Sequence, residues 1–239
     1  MSSKFRYVEP PRIETVLLVD AMYLHAAQAS LKRALKQQPA IKKALRRIAS
    51  LNARRDRIIA KHGDDVMAGY DEIEPVYIQM EGADDQLGEA YGPQLHAFAS
   101  VHILAAAALE SHINAFAAEK LSGSVLQLVE RFSLEAKWFT LPRLVGLVGF
   151  EIGKEPYQGF ARLVRFRNGL IHYRQRAEIW EAPGVPTFLE YLGLTKDAAE
   201  RSLKATVAMV AQLAKQLRQA KPYWLGREDT SYFKVKVGK

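Results

Sequence analysis

One short stretch of this chain gathers an imidazole, a carboxamide and several guanidiniums: Arg165-Phe166-Arg167-Asn168-Gly169-Leu170-Ile171-His172-Tyr173-Arg174. A histidine titrates near pH 6.5 in water, so it can both take and give protons at neutral pH. A guanidinium stays charged, and its planar fork matches the oxygens of a phosphate. These groups on one patch suit chemistry on a phosphodiester. Arg162, Arg165, Arg174 and Arg176 add an electrostatic footprint beside them, and Tyr157 and Tyr173 supply rings on which bases could stack. At about 100° per residue, Arg165, Asn168 and His172 share one helix face, while Arg167 lies roughly 140° from His172.

The element that must present this patch is a helix from about residue 155 to 175. Pro156 suits its first turn, and Phe160, Leu163, Val164, Phe166, Leu170 and Ile171 form its apolar stripe. Gly169 costs about 1 kcal/mol relative to Ala inside a helix and marks close approach by another backbone or a partner. Its neighbour in the core is the segment from Gln94 to Lys120, apolar almost all round from Ala97 to Leu109, which reads as the central helix of a bundle. Glu110 and Asn114 share a face of it, as a buried hydrogen-bonding pair or as part of a site. Shorter helices are expected at residues 124–132 and from Ser133, the latter interrupted at Pro142, and a last helix at residues 196–220 behind an N-cap at Thr195. Towards the N-terminus, residues 14–37 and 39–61 predict two helices meeting at Pro39 as an antiparallel hairpin, although Thr15–Val19 alone has strand character. Residues 63–93 read as an acidic linker with a short strand at residues 73–80, and the tail at 231–237 as a strand or arm. The expected organisation is a basic hairpin (1–62), the linker (63–93), a helical bundle (94–221) and a basic tail (222–239).

Composition narrows the function classes. The 239 residues carry a net charge of +8 and no cysteine. Disulfides, thiolate catalysis and cysteine-ligated zinc are excluded, and a reducing, cytoplasmic setting is expected. The first residues lack the apolar run of a signal peptide. Residues 90–109 contain no charged side chain, but Gly92, Pro93, Gln94, His96, Ser100 and His102 interrupt them, so they read as core and not as a membrane span. Residues 31–61 hold eleven Lys/Arg against Asp56 alone, whereas residues 62–93 hold nine acids and no Lys or Arg. The basic hairpin is either an RNA-binding surface or a solvated face neutralised by its acidic neighbour. The remaining histidines show no metal-ligand spacing, and there is no Gly-rich phosphate loop or Gly-x-Ser-x-Gly elbow. No metal or other cofactor is expected.

Two stretches together carry a family resemblance. RNGLIHYR (Arg167 to Arg174) resembles the Arg-polar-x-x-x-His helix motif of the HEPN superfamily, and ALESHINAF (Ala108 to Phe116) is similar to an earlier HEPN helix bearing Glu and Asn. LEAKWFTLPRLVG and PTFLEYLGLT resemble the segments that flank the motif in bacterial members. The likeness spans roughly residues 94–220. It implies an all-α, HEPN-like up-and-down helical bundle, here with the N-terminal hairpin added, that dimerises with its Arg/His helices facing each other. In catalytic members this builds a metal-independent endoribonuclease site. Carried over, His172 would be the general acid/base, Arg167 would stabilise the phosphorane and Asn168 would orient phosphate or imidazole. Glu110 and Asn114 would support them, and Arg162, Arg165, Tyr173, Arg174 and Arg176 would hold RNA. The implied partners are RNA, a second copy of the chain and, in a toxin or defence setting, a protein antitoxin. Other HEPN-like proteins bind RNA or proteins without cleaving, and His172 is then a structural residue of the bundle.

Overall fold

In the computed structural model the described residues are 13–63, 69–174, 187–226 and 231–237. They form an all-α bundle with one small sheet: β1 (Ile13–Leu17), α1 (Val19–His62), α2 (Tyr70–Lys120), α3 (Gly123–Glu130), α4 (Leu134–Leu144), α5 (Tyr157–Ile171), α6 (Thr187–Tyr191), α7 (Lys196–Gln216), a 3-10 turn (Tyr223–Gly226) and β2 (Phe233–Val237). The strand character of Thr15–Leu17 wins over helix. β1 pairs antiparallel with β2 in the tail, Ile13 opposite Val237 and Leu17 opposite Phe233.

The hairpin expected within residues 14–61 does not form, and a longer one takes its place. α1 continues through Pro39 for 44 residues, and its antiparallel partner is α2, 51 residues long and continuous through Pro75 and Pro93. Residues 70–93 are thus helical, including 73–80, where a strand was expected. The reason lies in the seam. Ile73, Val76, Met80, Ala83, Leu87, Ala90, Gln94, Ala97 and Val101 recur at alternating steps of three and four, the heptad spacing that keeps one face against a neighbouring helix. A proline inside a helix costs about 3 kcal/mol, but Pro39 is exposed and lies off the seam, and packing along the seam offsets that cost. At one seam position the buried Gln94 donates its amide to the Ala34 carbonyl at 3.2 Å, a polar contact that fixes the register of the two helices.

The core proper surrounds the second half of α2, which packs against α1, α5 and α7. Trp138 is its centre. The ring is fully buried, its indole N–H donates to the Leu109 carbonyl at 3.2 Å, and Phe150 and Phe160 pack around it. α4 begins at Ser133, whose hydroxyl accepts from the Ala136 amide, and continues through Pro142 to Leu144 where an interruption was expected. α7 is capped in the same way by Thr195, which accepts from the Ala198 amide. By length and composition α2 could cross a membrane, but half of its most apolar window is buried inside the fold.

Candidate functional site

α5 stops four residues before the expected boundary at residue 175. Ile171 is its final helical residue, and His172 is the C-cap, its amide bonded to the Asn168 carbonyl at 2.9 Å. The imidazole is exposed and makes no hydrogen bond among the described residues, and Tyr173 and Arg174 beside it are exposed too. Arg167 is half-buried and donates to the Asn168 carboxamide oxygen at 3.0 Å. Arg167 and Asn168 are therefore brought together, and His172 stands free one turn beyond Asn168. Arg176 lies outside the described residues. Gly169 meets a side chain and not the expected backbone or partner: a Cβ there would come within 3.3 Å of Leu192, the residue just after α6.

Glu110 and Asn114 lie level with the other end of α5. Leu109 binds Trp138, and Trp138 packs on Phe160. From Phe160 to His172 the helix rises about 18 Å. Asn114 accepts a 2.9 Å hydrogen bond from the buried Lys137 ammonium. Glu110 is half-buried, with no hydrogen bond among the described residues. Within one chain these two groups do not join the Arg167–His172 patch.

A group that the spacing did not suggest lies behind that patch. His102 is fully buried, its Nε2 sits 2.7 Å from the Gly193 carbonyl oxygen and its Nδ1 3.0 Å from the Ser202 hydroxyl. A carbonyl only accepts, so Nε2 carries the proton, and Nδ1 accepts from Ser202. Burial holds the His102 pKa below the ordinary histidine value, the Gly193 hydrogen bond acting weakly in the opposite direction. The ring also packs 5.0 Å from Phe166, the residue before Arg167. His102 thus ties α2, the turn before α7 and α5 together under the Arg167 patch. Its partners are about a hundred residues away in sequence, so no local pattern signals them. The same is true of His112, whose Nδ1 lies 2.8 Å from the Asp20 carboxylate while its ring stacks on Trp138.

Arg162 and Arg165 project from α5 into a cleft shared with the start of α7. Arg162 is paired with Glu155 at 2.6 Å, and the Arg165 guanidinium lies 5.5 Å from the centre of the Phe166 ring. Among the described residues no group of three or more His, Asp or Glu could hold a metal ion. Comparison with protein-family models, with curated proteins and with solved structures finds no match to this chain.

Proposed function

We propose that this chain is a cytoplasmic, HEPN-like, metal-independent endoribonuclease that works as a homodimer in RNA-targeting stress or defence. The observation that carries the reading is the exposed His172 imidazole at the end of α5, without a hydrogen bond among the described residues and one turn beyond Asn168, whose carboxamide oxygen accepts from Arg167. In this reading an RNA 2′-hydroxyl attacks the adjacent phosphorus and the P–O5′ bond breaks. The products are a 2′,3′-cyclic phosphate and a 5′-hydroxyl. His172 moves a proton, and Arg167 stabilises the charge that builds on the phosphoryl oxygens. A two-fold axis beside α5 sets each patch against its copy, so that one site draws on both chains. Exposed Ile171 and Tyr173 supply apolar surface for that contact. A protein antitoxin is a further partner in this setting.

The test is incubation of the purified chain with RNA in EDTA, with mass spectrometry of the product ends. His172→Ala is expected to lower cleavage by about 10²–10⁴-fold, the usual worth of positioned proton transfer. Arg167→Ala should slow cleavage with folding intact. A mixture of the two variants should regain part of the activity, because a heterodimer retains one Arg167 and one His172. A second reading is a dimeric RNA- or protein-binding module without chemistry. It is favoured by the absence, among the described residues, of any group that orients the His172 ring. No cleavage by the parent, with His172→Ala changing nothing but melting temperature, decides for that second reading.

A further inference from the structure

The cleft between α5 and the start of α7 has a volume of about 780 Å³, within the range of small-ligand sites. Four cations line it, Arg162 and Arg165 from α5 and Lys196 and Arg201 from α7, against two carboxylates, Glu190 and Asp197. Two of the four are paired within the fold, Arg162 with Glu155 at 2.6 Å and Lys196 with Glu200 at 3.6 Å. Arg165 and Arg201 are exposed and have no carboxylate partner among the described residues. Stacking beside Phe166 leaves the N–H edge of Arg165 free to donate. The backbone adds to this charge. Thr195 satisfies the Ala198 and Ala199 amides, which leaves the first two amides of α7 as donors on the same wall. Opposed guanidiniums around a concavity are an arrangement for tetrahedral oxyanions, since each fork makes two parallel bonds to adjacent phosphate oxygens.

The α5 wall of the cleft leads along the helix to the candidate catalytic patch, whose Arg167, Asn168 and His172 do not themselves line the cleft. Arg162, Arg165, Asn168 and His172 succeed one another at steps of three, three and four, so they form one stripe along α5. Arg165 precedes His172 by about 10 Å of helix rise.

We propose that this cleft binds the phosphate groups of single-stranded RNA, holding the strand so that a neighbouring phosphodiester reaches His172. The proposal rests on the ribonuclease reading for the role of His172, but the binding itself does not need cleavage. It is therefore tested in full-length protein carrying His172→Ala, with a fluorescein-labelled ten-residue oligouridylate read by anisotropy across a salt series. Adding Arg165→Ala and Arg201→Ala removes two phosphate contacts. The slope of log K against log salt should then become shallower by about 1.4, at roughly 0.7 per contact on a single strand. Arg165→Lys with Arg201→Lys should restore most of the slope, and melting temperatures should match. Unlabelled uridine 5′-monophosphate and inorganic phosphate, added as competitors, separate the two sources of phosphate. Oligonucleotide binding that depends on both arginines supports the strand site, even if the parent cleaves nothing, in which case only the enzyme reading falls. An unchanged slope in the double alanine variant overturns the proposal. So does a site in which the arginines govern binding of the monophosphate but not of the oligonucleotide.

Discussion

The two halves of α2 are one helix in two different environments. Residues 70–93 face α1 alone, across a small core of Leu51, Ile58, Val76 and Ala83 with Ile48, Ile73 and Met80 beside it. Residues 97–117 are enclosed by α1, α5 and α7, and bury Phe98, Val101, Leu109 and Ile113. A helix pair is held by one seam, so a lost side chain is felt locally. A bundle layer is held from several sides, so a cavity there is felt by every element. The difference also separates candidate functions. His172, Arg165 and Arg201 belong to the bundle, whereas the exposed basic residues of α1 belong to the arm.

The largest test of this contrast is Trp138→Ala, which removes the centre of the bundle core. A loss of about 3–5 kcal/mol is expected in denaturant unfolding, with all regions unfolding together. Gly193→Ala should cost about 2–4 kcal/mol, because the residue has φ +70° and a Cβ would stand 2.7 Å from the Phe166 ring. Val76→Ala, fully buried in the arm, should cost about 1–2 kcal/mol, and hydrogen exchange should quicken in residues 41–93 but not around Leu109. An arm variant that unfolds the bundle with it would break the contrast. The next effect is one of pH. The His102 pKa is lowered in the folded state, so the folded protein binds fewer protons than the unfolded chain. The stability it contributes is complete above the ordinary value of 6.5 and is lost as pH falls below it. His102→Gln should flatten that acid limb of the denaturation midpoint against pH. The smallest effect on folding is expected from neutralising Lys42, Lys43, Arg46 and Arg54. Melting should hardly move, and only an RNA-binding arm would lose about 0.7 of salt slope per contact.

What was legible in the sequence was local. The apolar run at 97–109 gave the central helix, and Ser133 and Thr195 marked the starts of α4 and α7 through caps that form as expected. The arginine and histidine spacing located the charged face of α5. The first half of α2 was hidden because Pro75, Pro93 and the glycines at 82, 88 and 92 each signal a break, while the heptad seam beneath them is carried partly by Ala83 and Ala90, which add little to a hydrophobic pattern. Pro39 misled in the same way, since its outward position decides its cost and a sequence does not state which face will be covered. The link from His102 to Gly193 and Ser202, and the pair of His112 with Asp20, depend on which helices become neighbours. The distance between Glu110 and His172 follows from the antiparallel course of α5 along α2, a fact of topology and not of either motif.

The arm has a hydrodynamic consequence. Beyond Pro39, α1 and its partner segment of α2 project as a rod roughly 35 Å long. A rod on a compact body raises frictional drag out of proportion to its mass. A single chain of 26.9 kDa is therefore expected to leave a sizing column early, at the position of a much heavier sphere. Mass from light scattering, and not elution volume, is the quantity that tells one copy from two.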